Sequence, residues 1–426
     1  MWPSGRILVD AGARKEWREG WPLVLASVVG TSVTSIMVYS LGVLMGPLQQ
    51  QFGWSKAEIS SGLLINSIVT VVLAPFAGRL IDRFGPRRIC LPGLVLFTCA
   101  YAALATTNGS LWQWRILWVF LSLTSLMLMP AAFTMAVSSR FDRSRGTALA
   151  MTLCGTGLAG VLVPPTTGLL LKAYGWQWAY VGAALIWFLV AFPLFLLFLR
   201  DAGDLHRKAG PRAEKPSPAP SDGASVRDAL RSATFLKLAA SCFLLMLVIG
   251  AMVIHMVPIL LGAGLDPMVA ASMASIIGAT NIFSRLTTGF LLDRFSPPIV
   301  GGVAFGLPAV LMGFLLAYDG STGMAVLLAV LLGLSSGAEL QIAAYMSSRY
   351  LGMKNYGLLF GAIVGLLALA LGIGPMIMGA VFDHFGSYRL AFIAGIPLSL
   401  TASLLLFSFG GEEVRLARRQ AEPRPV

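Results

Sequence analysis

Twelve long apolar runs, separated by short polar segments, constrain this chain more than any other feature. A helix needs about 20 mainly apolar residues to cross a bilayer core of about 30 Å. The runs cover residues 21–48, 57–79, 89–107, 112–138, 146–171, 176–199, 233–262, 268–292, 298–318, 323–348, 355–382 and 388–409. Only 12% of the 426 residues are charged, about half of the share in soluble domains. We therefore expect an all-α membrane protein with twelve transmembrane helices surrounded by a lipid bilayer.

The basic residues predict the orientation of these helices. If the N-terminus is cytoplasmic, 26 of the 31 Lys and Arg residues fall in cytoplasmic segments, four fall on the opposite side and Arg285 lies inside a run. Cytoplasmic segments of membrane proteins carry such an excess of positive charge. The pattern predicts a multi-pass protein of the plasma (inner) membrane with both termini in the cytoplasm. The net charge of +12 is spread over these segments, so it does not indicate nucleic-acid binding.

A polar segment at the midpoint divides the apolar runs into two sets of six. Residues 211–225 are rich in Pro, Ala, Ser and Gly, a composition typical of flexible linkers. The predicted organisation is a cytoplasmic tail (1–20), a six-helix bundle (21–200), a cytoplasmic linker (201–232), a second six-helix bundle (233–409) and a cytoplasmic C-terminal tail (410–426).

The two sets of runs share a sequence repeat. The segment Gly78–Phe84 (GRLIDRF) resembles Gly289–Phe295 (GFLLDRF), which lies 211 positions further along the chain. The same spacing relates Pro164, Gly168 and Gly175 to Pro375, Gly379 and Gly386. Parallel six-helix repeats are typical of one class of secondary transporter. The sequence therefore predicts two bundles of similar structure.

The segment Gly78–Arg88 (GRLIDRFGPRR) resembles the signature loop between the second and third helices of the major facilitator superfamily. The resemblance implies a major facilitator fold in which this loop forms a conformational latch on the cytoplasmic side. Carboxylates and arginines of such a latch bind helix ends. The candidate latch residues are Gly78, Asp82, Arg83, Gly85, Arg87, Asp293, Arg294, Arg140 and Arg349. A solvated basic turn is the alternative.

Within that superfamily, the chain resembles the monocarboxylate transporter family at three places. They are Glu19–Trp21 before the first run, Arg140–Arg143 before the fifth, and Gly374–Tyr388 at the end of the eleventh. The resemblance implies a secondary transporter that works by alternating access. Its expected substrate is a small organic anion, a monocarboxylate such as lactate or pyruvate, and a co-transported proton is a further expectation.

Arg285 is the one basic residue deep inside an apolar run. A guanidinium facing lipid costs at least about 2.5 kcal/mol, so Arg285 should face a watery cavity or a partner. It can hold a carboxylate through two hydrogen bonds, and the resemblance implies a substrate-binding arginine at this position. An ion pair with Glu339 is the alternative. Many family members have an aspartate where Asn281 stands and a lysine where Tyr39 stands, so the usual proton-coupling scheme does not transfer directly.

Two other residues are candidates for carrying the proton. His255 has a side chain that titrates near neutral pH when unperturbed, and Glu339 is a carboxyl group within an apolar run. Their structural alternatives are a helix-packing hydrogen bond and a pair with Arg285, respectively. The candidates for hydrogen bonds to the substrate, or for contacts between helices, are Asn281, Tyr39, Asn66, Gln341 and Tyr345.

Other functional classes find less support. The four cysteines and three histidines show no metal-binding spacing, so neither a metal nor a cofactor is expected. The runs contain no nucleophile–base set, and an enzyme is not expected. A major facilitator exporter of drugs or other apolar compounds would have the same helices and is the alternative function. We expect a monomer.

Overall fold

The computed structural model describes residues 11–141, 144–199, 230–351 and 356–410, and these residues form helices and short turns without a β-strand. The helices of the first half are α1 (Ala11–Phe52), α2 (Lys56–Phe84), α3 (Pro86–Ala103), α4 (Leu111–Ser125), α5 (Pro130–Ser138), α6 (Arg145–Leu153) and α7 (Gly155–Phe198). Those of the second half are α8 (Ala233–Gly262), α9 (Pro267–Arg294), α10 (Pro297–Leu316), α11 (Thr322–Met346), α12 (Tyr356–Phe385) and α13 (Arg389–Phe407).

Eleven helical segments in the described part of the chain are long and apolar enough to cross a membrane. The longest, Thr147–Phe198, has 52 residues and would extend roughly 78 Å as one straight helix, more than twice the thickness of a bilayer core. It is interrupted at Gly175, whose φ of 84° and ψ of 174° are not helical. The segment is therefore long enough for two crossings on either side of Gly175. Counting it twice gives the twelve crossings expected from the sequence, and that exact number stays a prediction.

Six glycine turns repeat between the halves. Positive φ angles occur at Gly53, Gly109, Gly175, Gly264, Gly320 and Gly386. The first three stand 211 positions before the last three, in the same order. A positive φ is a conformation that glycine adopts without steric cost. The sequence repeat therefore corresponds to a repeat of backbone conformation, with one glycine at each of the six turns on one side of the molecule.

These turns define two sides of the molecule, whose names are used below. The far side carries the six glycine turns, and the linker side carries the opposite helix ends, including the turn at Gly85 and the end of α7. Each half has its own apolar core. Val43 of α1 joins the core of the second half, and Ile254 of α8 joins that of the first. The predicted linker and C-terminal tail lie largely outside the described residues, and so does the first half of the predicted N-terminal tail.

Large apolar side chains cover much of the outer surface. Trp112, Leu189 and Leu404 are each more than 60% exposed. A soluble protein rarely exposes extended apolar surface of this kind. The exposed face of the helices is therefore suited to contact with lipid.

Candidate substrate cavity

A cavity of about 300 Å³ lies between the two halves. It is lined by residues of α1 and α7 from the first half and of α8, α9, α11 and α12 from the second. Most of the wall is apolar. The side chains with polar groups are Ser35, Tyr39, Thr156, Asn281, Arg285, Ser336 and Glu339. Arg285 and Glu339 are the charged residues among the described lining, so the chemistry of this cavity centres on them.

Arg285 has unused hydrogen-bonding capacity. Arg285 is only 6% exposed, and its Nε atom is buried without a hydrogen-bond partner among the described residues. Among the residues that the structure describes, no carboxylate oxygen lies within 4.0 Å of the guanidinium, although Glu339, Tyr39 and Cys154 are close enough to interact with it electrostatically. A buried guanidinium without a paired anion is costly. At this distance Arg285 and Glu339 do not form the ion pair that was the structural alternative to substrate binding by Arg285.

Close packing of α11 against α9 brings the cavity's polar groups together. A Cβ atom added to Gly337 would lie 2.7 Å from Cβ of Ser284 and 3.1 Å from N of Arg285. Only a glycine permits this approach. It places Ser336, directly before Gly337, and Glu339, two residues after it, beside the part of α9 that carries Arg285.

Asn281 lies one helical turn before Arg285 and is 4% exposed. Its Nδ2 atom donates a hydrogen bond of 2.9 Å to Oγ of Ser336. Its Oδ1 atom is buried and has no partner among the described residues. Asn281 thus fixes the position of Ser336 and keeps a free acceptor in the cavity.

The other predicted residues divide into two groups. Tyr39 lines the cavity, whereas Asn66, Gln341, Tyr345 and His255 do not belong to its described lining. Oδ1 of Asn66 accepts a 3.3 Å hydrogen bond from Ser125 within the first half. Gln341 has a buried Oε1 without a described partner, and Tyr345 packs against the core of the second half.

Sequence reasoning missed Ser35, Thr156 and Ser336. Each lines the cavity, but serines and threonines occur throughout the runs, and most bond their own helix backbone. Ser336 carried the best signal, because it stands three residues before Glu339 and so shares its helix face.

A second cluster of polar contacts joins the halves on the far side. Asp383, near the end of α12, accepts hydrogen bonds of 2.9 Å from the backbone N–H groups of both Lys56 and Ala57. Lys56 and Ala57 are the first two residues of α2. The N–H group of the third, Glu58, donates to the side chain of the N-cap residue Ser55. A carboxylate at a helix N-terminus is stabilised by the helix dipole. One half therefore caps a helix of the other.

The side chain of Lys56 extends the same cluster into the second half. Its Nζ atom donates a 2.8 Å hydrogen bond to the Tyr388 hydroxyl and lies 3.2 Å from the centre of the Phe382 ring. Nε2 of His255 is 2.9 Å from the carbonyl oxygen of Pro375, and Nδ1 is 3.0 Å from the Tyr388 hydroxyl. Because a carbonyl only accepts, Nε2 carries a hydrogen, and Nδ1 of the neutral ring accepts from Tyr388. We call Lys56, Asp383, Tyr388 and His255 the far-side latch.

Four arginines predicted to form a linker-side latch make described contacts within single halves. Arg87 donates 2.7 Å to the carbonyl of Leu196, and Arg140 donates 3.4 Å to that of Glu19. Arg83 lies over Phe84, and Arg294 lies over Phe290. Gly78 lies in α2 with open space around its Cβ position, Gly85 forms the α2–α3 turn, and Arg349 lies in a π-helical turn. The side chains of Asp82 and Asp293 lie outside the described residues. The linker-side latch stays a prediction.

Comparison with known proteins shows which family has this architecture. The sequence profile of the Major Facilitator Superfamily matches residues 27–363. The chain belongs to that superfamily. This major facilitator protein is therefore a multi-pass membrane transporter and not an enzyme, as the sequence predicts.

Relatives of this transporter have different named roles. Monocarboxylate transporter 13 of Bos taurus is 25% identical over 392 residues, covering 91% of this chain and 89% of its own. Monocarboxylate transporter 11 of Homo sapiens is 25% identical over 400 residues, covering 91% and 82%. An agnestins efflux protein of Paecilomyces divaricatus is 25% identical over 337 residues, covering 78% and 73%. These relatives therefore include both monocarboxylate transporters and an efflux protein.

A solved structure supports the fold. A bacterial homologue of the human lysosomal transporter Spinster, in an inward-facing and unoccupied conformation, superimposes with a TM-score of 0.67 at 18% identity, covering 95% of this chain and 98% of the other. At this identity the likeness shows the fold alone.

Proposed function

We propose that this protein carries a small monocarboxylate across the plasma (inner) membrane by alternating access, with its linker side and both termini in the cytoplasm. The observation that supports this most is Arg285, a buried cation that lines a cavity between the halves and makes no ion pair with a described residue. Its guanidinium offers paired N–H donors to a carboxylate. The apolar wall contributed by α8 and α12 suits a short hydrocarbon chain.

Glu339 supplies a physical basis for proton coupling. It lines the same cavity as Arg285. When Glu339 is ionised, its charge offsets that of Arg285 and repels a substrate carboxylate. When Glu339 is protonated, the cavity carries a net positive charge. Substrate and proton therefore bind cooperatively, and the coupling is reciprocal.

His255 contributes to the far-side latch in this proposal. Both of its ring nitrogens are within hydrogen-bond distance of a partner, and it is fully buried away from the described cavity lining. The latch holds the far side closed, so transport requires its contacts to break when the halves rock. That His255 carries the proton stays a prediction. The Glu339→Gln variant described below tests it as well, because it removes the other candidate.

The experiment is uptake of labelled lactate, pyruvate and related acids into proteoliposomes, with and without a pH gradient. We expect gradient-stimulated uptake by the wild type. Arg285→Ala should lower kcat/KM by at least about thirtyfold, the cost of removing one partner of a buried charge pair. Glu339→Gln should transport without responding to the gradient. If uptake by Glu339→Gln still follows the gradient, His255 becomes the better proton carrier.

Export of apolar compounds is the second candidate, and the mainly apolar cavity wall favours it. Export of an apolar compound does not require the paired N–H donors of a guanidinium at position 285, and it requires at most a positive charge there. Arg285→Lys separates the two functions, because lysine keeps the charge but loses the planar pair of donors. Full export of an apolar dye by Arg285→Lys, with no uptake of any small acid by the wild type, would refute the monocarboxylate proposal.

A further inference from the structure

A second polar pocket opens on the far side, away from the central cavity. It has a volume of about 350 Å³. Its wall comes from the far-side ends of α8, α10, α12 and α13, and from the start of α2. We call it the far-side pocket. The residues with polar side chains that line it are Lys56, Tyr318, Ser387, Tyr388 and Arg389.

Lys56 brings a poorly satisfied cation to this pocket. The residue is 7% exposed, and its ammonium group has three N–H donors. One donor bonds the Tyr388 hydroxyl, and the Phe382 ring lies against the same group. The nearby carboxylate of Asp383 accepts from the backbone N–H groups of α2 instead. No other hydrogen bond to Lys56 Nζ occurs among the described residues, so donors remain for a ligand.

Tyr318 provides an independent observation. Its hydroxyl is buried and has no partner in the described part of the structure, although it lines the same pocket. A buried hydroxyl left without a hydrogen bond is destabilising, so a ligand that bonds it is favoured. Arg389 adds a second cation to the wall, and none of the described lining residues is Asp or Glu. Asp319, next to Tyr318, accepts a hydrogen bond from the backbone of Ser321.

We propose that the far-side pocket binds a small oxyanion, a carboxylate or an inorganic anion of similar size, between Lys56, Tyr318 and Arg389. Among the described lining residues, Lys56 alone comes from the first half. The site is complete only while the far side is closed. A bound anion therefore stabilises that state by differential affinity. The site is separate from Arg285 and does not depend on the transported substrate.

The test is equilibrium binding of radiolabelled sulfate to purified protein in detergent, at constant ionic strength. We expect saturable binding that Lys56→Met weakens by about tenfold, since a hydrogen bond from a charged group is lost. Tyr318→Phe, which removes one hydroxyl and leaves the latch intact, should weaken it by about threefold. Lys172→Met is the matched control. Lys172 is also a far-side lysine beside a cavity, but that cavity contains Asp266 as well, and this variant should bind like the wild type.

Arg285→Ala separates this site from the central cavity. Unchanged sulfate binding by Arg285→Ala supports the far-side pocket, even if the proposed transport function fails. Binding that Arg285→Ala abolishes, but Lys56→Met and Tyr318→Phe leave intact, would overturn the proposal. So would the absence of saturable binding.

Lipid headgroups carry the same oxyanion chemistry, and a second arm distinguishes them. Sulfate binding is repeated in nanodiscs made with neutral lipid and in nanodiscs made with anionic lipid. Equal affinity in both identifies a free anion as the ligand. Competition by the anionic lipid, lost in Lys56→Met, identifies a headgroup as the occupant of the same site.

Discussion

The two halves contact each other at two pseudo-equivalent interfaces, each between one helix of either half: α2 with α12, and α7 with α9. The repeat of 211 positions relates the start of α2 to the start of α9, and α12 to the first part of α7. Both crossings have backbone close contacts near the middle of the helices. At one, Gly372 of α12 packs against Ser67, and at the other, Gly278 of α9 packs against Gly160. Each interface is therefore closely packed at a glycine near the middle of its helices.

The far-side ends of the two interfaces differ. Asp383 of the second half caps the N-terminus of α2 in the first half. At the other interface, Asp266 caps the N-terminus of its own helix α9, with hydrogen bonds to the N–H groups of Met268 and Val269. Lys172 occupies the position that is pseudo-equivalent to Asp383, beside an apolar cavity of about 420 Å³. The first interface therefore holds the closed state, whereas the second has room to move.

The largest effect is expected from Gly379→Leu. A Cβ atom at Gly379 would lie 2.7 Å from N of Ala57 and 2.8 Å from C of Lys56. These are backbone atoms that cannot move aside, so the leucine should keep α12 away from α2 and exclude the closed state. The test uses a protein without its native cysteines that carries spin labels at Thr106 and Ala317, which are exposed, pseudo-equivalent far-side positions. The distance between the labels is short when the far side is closed and longer when it is open. Gly379→Leu should show the longer distance only.

Gly168→Leu is the matched control, because Gly168 is the pseudo-equivalent of Gly379. A Cβ atom there would make an ordinary contact of 3.6 Å with Ala271, and Gly168 borders the apolar cavity. The leucine should enter the cavity and leave the distance distribution unchanged. Equal behaviour of the two glycine variants would contradict the difference between the interfaces.

Asp383→Ala should have the next largest effect. It removes the two hydrogen bonds by which the second half caps the backbone N–H groups at the start of α2. Loss of a side-chain cap costs about 0.5–2 kcal/mol, and 1–2 kcal/mol changes a two-state ratio by about five- to thirtyfold. The same spin-label pair should report this shift toward the open far side.

Asp266→Ala serves as the comparison for Asp383→Ala. It removes a cap that belongs to α9 in every state. We expect a lower melting temperature without a change in the ratio of the two distances. A similar shift of that ratio in both variants would mean that capping stabilises the halves in general and does not latch them.

Much of this architecture could be predicted from the sequence, because it depends on local composition. The apolar runs require membrane crossings, and the glycines of the repeat mark the far-side turns at Gly175 and Gly386. Arg285 could be placed in a cavity because a permanent charge is not tolerated in lipid. Each of these inferences needs only the residue and its immediate neighbours in the sequence.

The latch could not be predicted, because its contacts join distant parts of the chain. Lys56 and Asp383 are separated by 327 positions, and each resembles an ordinary loop charge. His255 has the same limitation, because its buried partners, Tyr388 and the carbonyl of Pro375, are set by helix packing. The pairing of Arg285 with Glu339 was a sequence hypothesis that only the distance between the side chains could test.

Tyr388→Phe should have a smaller effect on the far-side latch. It removes the hydroxyl that accepts from Lys56 and donates to His255, but keeps the ring that packs against Phe382. A hydrogen bond contributes about 0.5–1.5 kcal/mol, and water in the far-side pocket can replace part of it. We expect about a threefold shift toward the open far side, measured with the same labels. Tyr180→Phe is the control, since its buried hydroxyl has no described partner, and it should cause no shift.

Lys172→Asp should have the smallest effect, although it places a carboxylate at the position equivalent to Asp383. The first residue of α9 is Pro267, which has no N–H group, and Asp266 already accepts from the next two. The new carboxylate therefore finds no free donor, whereas α2 offers the N–H groups of its first two residues. The ratio of the two spin-label distances should stay within about twofold of the wild type, less than about 0.4 kcal/mol. A shift toward the closed state as large as the difference between Asp383→Ala and the wild type would contradict this. It would mean that a carboxylate alone makes a latch, whether or not the facing helix offers free N–H donors.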